Sequence, residues 1–226
     1  MKKIIYFICF CLLVVSCANN NDDINIKNIL FGVTDITNNY DSLTSSKMTS
    51  LFNDDFMNNR NNWSVSQNDN DDKWSISEGF FWILENNSTN ATLASTSLNL
   101  DFTKNFQIEF SDQNGYWSNY NKKQVGLLLW VNNDFLKIVK FKNQLICSQN
   151  TNGNLSEETR FNVDSDEYEK FFTLTVRKIE KSIYLFYNKD YVGKYNLQIK
   201  EMTNKFSFFV TGAAAIDYLN IYSINN

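Results

Sequence analysis

Two carboxyls that act together from one strand must share its face, as positions two apart do and positions three apart do not. In Ile108-Glu109-Phe110-Ser111-Asp112 the acids stand three apart, so Glu109 and Asp112 should face opposite sides. Asp164, Asp166, Glu167 and Glu169 cluster instead in a loop-like segment without apolar neighbours to raise a pKa. Loops from distant parts of the chain could still bring carboxyls to the ~5–5.5 Å or ~6.5–9.5 Å of retaining and inverting hydrolysis. Histidine is absent, which excludes Ser-His-Asp and Cys-His nucleophile systems and any His-ligated zinc or iron site. Asp69-Asn70-Asp71-Asp72 does not open an EF-hand, because Trp74 and Phe80 occupy the places that need Gly and Glu. Aromatic residues are the stronger lead. Tyr116-Trp117-Ser118-Asn119-Tyr120 lies in a polar stretch between two strands, where packing does not demand three rings. Sugar C–H faces stack on such rings while amides bond the hydroxyls, so Tyr116, Trp117 and Tyr120 are the expected ligand-binding residues. In the alternative, Trp117 folds over the sheet edge as a lid on the core.

The amino terminus carries an address. Lys2 and Lys3 precede an apolar run, Ile4 to Val15, shorter than the ~20 residues of a membrane span, which reads as a secretory signal. Val14-Val15-Ser16-Cys17 then resembles the lipobox of bacterial lipoproteins. That resemblance implies removal of residues 1–16, acylation of Cys17 and attachment of the mature protein to a lipid membrane, each buried methylene contributing ~0.8 kcal/mol. An ordinary cleaved signal with a chance cysteine is the alternative. The acidic Asn19-Asn20-Asn21-Asp22-Asp23 looks like the stretch that follows the lipidated cysteine in surface-exposed Bacteroidetes lipoproteins, which implies the outer membrane and the cell surface. A plain solvated spacer would look the same. Cys9 and Cys11 leave with the signal and Cys17 is lipidated, so Cys147 remains alone, without a disulfide and expected as a buried, inert thiol.

With a formal charge of −4 and no Lys/Arg cluster larger than a pair, the chain offers no footprint for nucleic acid and none for an anionic lipid surface. Its 35 asparagines are surface tolerance of a biased composition, as in a chain from an AT-rich genome. Hydrophobic content of 43% with 15% aromatics supports a sizeable core.

The elements that must position these residues are strands. Residues 17–50 read as the lipidated cysteine and a polar tether, with an apolar stretch from Ile24 to Val33 able to dock; residues 51–226 read as one domain. Trp74–Ser77 and Phe80–Leu84 flank a Glu78-Gly79 turn, and Phe135–Phe141 and Gln144–Gln149 flank Lys142-Asn143. Ser182–Tyr187 and Tyr191–Leu197 flank Asn188-Lys189-Asp190. Phe106–Phe110 and Phe172–Arg177 alternate, Val125–Val131 is continuously apolar as a doubly covered central strand would be, and Lys205–Thr211 and Ala215–Ile224 close the chain. No long amphipathic helix is evident beyond a turn at Ser165–Lys170. The expected architecture is all-β, a two-sheet antiparallel jelly-roll sandwich.

The order of these pieces resembles a known family. Leu51-Phe52-Asn53-Asp54-Asp55-Phe56, Trp63, Trp74–Gly79, Gly126-Leu127-Leu128-Leu129-Trp130, Asn133–Lys137, Leu174–Lys178, Leu185–Asn188, Phe208–Gly212 and Ile216–Leu219 are similar to concanavalin A-like lectin/glucanase domains. The type is the laminin-G-like one, related to 3-keto-disaccharide hydrolases. Family enzymes that cut β-glucans place Glu-x-Asp-x-Glu on one strand, a pattern missing here. The resemblance therefore implies carbohydrate binding rather than turnover, with a glycoside hydrolase of small saccharides, a protein-binding adhesin or a structural envelope lipoprotein as alternatives. Jelly-roll carbohydrate binders often join their first and last strands through structural calcium, which would make Asp54, Asp55 and Asp217 its ligands; turn and strand-end carboxylates in solvent are the alternative. Trp130, Phe135 and Phe208 lie in apolar strands and are expected in the core. Trp82, between Phe81 and Ile83, is a second candidate stacking platform. The partners implied are a carbohydrate or another surface protein, and the lipid membrane through Cys17.

Overall fold

In a computed structural model of the chain, residues 36–66, 73–84, 91–113, 123–165, 171–203 and 205–225 are described. They form sixteen strands: β1 Met48–Asp54, β2 Ser64–Val65, β3 Lys73–Ser77, β4 Phe80–Leu84, β5 Thr92–Thr96, β6 Phe106–Gln113, β7 Gln124–Val131 and β8 Asp134–Phe141. These are followed by β9 Gln144–Thr151, β10 Asn154–Leu155, β11 Thr159–Asn162, β12 Phe171–Ile179, β13 Ser182–Tyr187, β14 Asp190–Asn196, β15 Lys205–Thr211 and β16 Ala214–Ile224. The first sheet runs β14-β13-β12-β6-β16-β4-β3, with β1 also paired to β16. The second runs β10-β9-β8-β7-β15-β5-β2, with β11 also on β9. Every pairing is antiparallel, and the architecture is the expected jelly-roll sandwich.

Local chemistry explains the hairpins. Glu78 and Gly79 both adopt positive φ (55° and 78°), the signature of a two-residue type I′ turn between β3 and β4. Asn188 and Lys189 do the same at 51° and 75°, so the β13–β14 turn keeps its type although lysine stands where glycine is usual. Alternation then sends one face of each strand inward. Phe106, Ile108 and Phe110 of β6 and Leu174 and Val176 of β12 meet Leu127 and Leu129 of β7 and Phe206 and Phe208 of β15. Phe208 stacks on Trp63 at 5.3 Å and meets Phe110 edge-on at 5.4 Å. Each such ring contributes roughly 1.5–3 kcal/mol by leaving water.

The packed part of the chain begins earlier than residue 51. Two short 3-10 turns, Tyr40–Ser42 and Ser45–Lys47, precede β1. The carbonyls of Asn39 and Tyr40 each accept a 2.9 Å hydrogen bond from the guanidinium of Arg177, which is fully buried on the outer face of the first sheet.

Candidate functional site

Strand parity decides which side chains leave the core. In β7, Val125, Leu127, Leu129 and Val131 point inward, so Gln124, Gly126, Leu128 and Trp130 take the other side. The same count turns Phe135, Lys137 and Val139 of β8, Ile146, Ser148 and Asn150 of β9, and Lys205, Ser207 and Phe209 of β15 outward. Phe208 is core as expected. Trp130 and Phe135 are not: both are half-buried on the outer face of the second sheet. Continuous apolar neighbours concealed Trp130. Phe135 shared its parity with Lys137, a signal that was present in the sequence.

The register aligns these residues in a row. Lys205 is opposite Trp130, Trp130 opposite Phe135, and Phe135 opposite Asn150. Three strand spacings of ~4.8 Å make the row ~14 Å long. The Trp130 and Phe135 rings meet edge-to-face at 5.5 Å. Trp130 Nε1 and Asn150 Oδ1 are shielded from solvent and have no hydrogen-bond partner, an uncommon state for buried polar atoms. One row further along stand Ser207, Leu128, Lys137 and Ser148, and in the row beyond it Val139 and Ile146 close the middle of the face. There Lys137 lies 5.4 Å from the Phe209 ring centroid and 3.8 Å from Glu158. Beyond β15 the row runs into a cavity of about 230 Å³ lined by Asn62, Ser64, Ser95, Thr96, Ser97 and Lys205. Its wall is held by hydrogen bonds between the Ser95 and Ser207 hydroxyls (2.9 Å) and from Thr96 Oγ1 to the Asn61 carbonyl (2.7 Å).

The outer face of the first sheet is built differently. Glu109 accepts hydrogen bonds from the hydroxyls of Tyr40 (2.5 Å), Thr175 (3.0 Å) and Tyr218 (3.1 Å). Burial, and after it the Glu109 carboxylate, pushes both the Tyr40 and Tyr218 phenols above their usual range. Asp112 faces the opposite way, as the spacing implied, and Lys123 meets it at 2.6 Å. Burial raises the Asp112 carboxyl even against the opposing pull of Lys123. No described strand carries carboxylates two residues apart. Trp82 does face outward, but on this first sheet, tilted against Phe80 at 5.2 Å with its indole N–H donated to the Ser77 carbonyl.

The three carboxylates expected to hold calcium are not gathered for it. Asp54 is fully buried: Oδ1 accepts the Phe56 N–H (3.0 Å), and Oδ2 accepts Asn61 Nδ2 (2.6 Å) and Trp63 Nε1 (2.7 Å). Asp55 is exposed, 3.6 Å from Arg60. Asp217 lies at a register irregularity of β16, its carboxyl raised by burial. Among the described residues no three acidic or cysteine side chains meet as a metal cluster. Cys17, Tyr116, Trp117 and Tyr120 lie outside the described residues, as do most of the Ser165–Lys170 turn and the Ile24–Val33 stretch.

No protein family's sequence profile matches the chain, and no curated protein matches it significantly in sequence. Solved structures do match it in fold. A Bacillus subtilis protein described as galectin-like in fold aligns with a TM-score of 0.63 at 6% identity, over 79% of this chain and 98% of its own. An endo-1,3-β-glucanase from Streptomyces sioyaensis aligns at 0.59 and 10%, over 81% and 99%. The carbohydrate-binding module CBM66 from Bacillus subtilis aligns at 0.51 and 11%, over 68% and 90%. At these identities the likeness is one of fold, and the fold is the jelly roll that β-glucanases, galectin-like proteins and carbohydrate-binding modules share.

Proposed function

We propose that this chain is a saccharide-binding protein held to the bacterial outer membrane through lipid on Cys17 and exposed at the cell surface. The saccharide lies along Lys205, Trp130, Phe135 and Asn150. The observation that carries the reading is Trp130: an outward, half-buried indole meeting the Phe135 ring edge-to-face, in a row that ends on the polar side chains of Lys205 and Asn150. Aromatic surface with a few convergent polar groups is what a saccharide site requires. Binding is favoured over hydrolysis because Glu109, on the opposite sheet, has its oxygens occupied by three hydroxyls of the fold, and no described strand carries carboxylates two residues apart.

The test is a glycan-array screen of the purified chain beside Trp130→Ala, with reducing-end release assayed on every hit. Hits lost in Trp130→Ala support the reading. Hits that survive move the site elsewhere, and turnover would replace binding with hydrolysis. A blank array with a folded protein leaves a protein partner or a structural envelope role. For the anchor, Cys17→Ala should release the protein from the membrane fraction; unchanged fractionation and no acyl mass would remove lipidation.

A further inference from the structure

The cavity at the β15 end of the row has an unusual lining. Among the described residues its side chains are three serines, a threonine, an asparagine and Lys205, with no carboxylate among them. Lys205 is exposed and forms no ion pair with any described residue. A lysine ammonium is a point charge with three donors and no acceptor, and serine hydroxyls rotate to donate as readily as to accept. Such a lining offers an anion several donors beside a fixed positive charge, with no carboxylate among the described residues to repel it. At about 230 Å³ the cavity is smaller than the ~300–1,000 Å³ of sites that enclose drug-sized ligands, so it suits one substituted ring rather than a chain. Lys205 stands one strand, ~4.8 Å, from Trp130.

Taking the saccharide site on the second sheet as given, we infer that its preferred ligand is acidic: a sugar whose carboxylate or sulfate ester enters this cavity against Lys205, Ser64 and Ser97 while the neighbouring ring stacks on Trp130. The chain as a whole is acidic, at −4, and does not draw polyanions by its general field. Selectivity must then come from this local contact, and a single substitution should remove it.

The experiment is calorimetric titration of the full chain with matched pairs: a galacturonate oligomer against its carboxyl-reduced form, and a sulfated galactan oligomer against its desulfated form. The acidic member of one pair should bind about tenfold more tightly, and which pair responds separates carboxylate from sulfate. Lys205→Gln should abolish that difference, Lys205→Arg should keep most of it, and both should melt with the wild type because the side chain is exposed. Trp130→Ala should weaken acidic and neutral members together. Equal affinity within both pairs, or a preference untouched by Lys205→Gln, overturns the acidic ligand while leaving the saccharide site in place. Absence of binding to every oligomer and to the glycan array, by a folded protein, overturns both.

Discussion

Asp54 shows how far a carboxylate can be drawn into holding a fold. It takes a backbone N–H, an amide and an indole N–H, and so ties the loop after β1 to Trp63, which stacks on Phe208 at the centre of the core. Asp54→Ala would leave the Trp63 N–H buried without a partner, at a cost of ~2–4 kcal/mol. For a domain of this size that is a fall of roughly 5–15 °C in Tm. EDTA should leave the wild-type transition where it is; a fall on chelation would return this carboxylate to a cation. Cys147, fully buried, has its thiol pushed by burial from 9.0 to about 12. Because the folded value is the raised one, the stability linked to this thiol is complete below pH 9 and is lost as pH climbs toward 12. At pH 8 a disulfide reagent should leave Cys147 unmodified in the folded chain and label it in urea; fast native labelling of Cys147 would contradict the burial.

At the scale of elements, the close approach of β7 and β8 rests on Gly126. A Cβ there would meet the Ile138 carbonyl oxygen at 2.0 Å and the Val139 Cα at 2.6 Å, backbone atoms that cannot swing aside. Gly126→Ala should therefore force the two strands apart, costing ~1–3 kcal/mol as overpacking does and weakening saccharide binding by displacing Trp130 and Phe135. A thermal melt and a titration check both effects, and an unchanged melt would show that the pair can widen freely. These same strands mark the limit of what the sequence discloses. Hairpins were legible wherever a turn had recognisable chemistry, as at Glu78-Gly79 and around Lys142-Asn143, because positive φ selects few residues. The row that forms the site was not. A run such as Val125–Val131 carries no alternation, so nothing local separates Trp130, which faces out, from Leu129, which faces in. The row itself exists only through register between β15, β7, β8 and β9, a relation between segments far apart in the chain. The partners of Asp54 were hidden for a related reason: Asn61 and Trp63 are brought to it by a loop whose path depends on Phe56 and Asn62 at positive φ.

Across the whole molecule the two outer faces are put to different uses. The first sheet is crossed by the chain's own segment before β1: Arg177 donates to the carbonyls of Asn39 and Tyr40, its guanidinium lies 4.7 Å from the Phe186 ring centroid, and Tyr40 meets Phe186 edge-on at 6.0 Å. The second sheet carries the aromatic row and the hydroxyl-lined cavity. If the crossing segment belongs to the fold and the ligand to the other face, the two can be separated by truncation. A chain starting at Met48 loses both carbonyl acceptors of a buried cation and the phenol on Glu109. Arg177 keeps Gln107 at 2.9 Å, and water takes over part of what is lost, which limits the cost to ~2 kcal/mol, a fall of roughly 4–8 °C relative to a chain starting at Thr37. Saccharide affinity should stay within about twofold, since Trp130 stands on the opposite sheet and distant sites act nearly independently. Equal melting of the two chains would mean that the segment only rests on the sheet. A lower affinity in a truncated chain that still melts cooperatively would place the ligand on the first sheet, beside Trp82 and Glu109, and would reverse the assignment of the two faces.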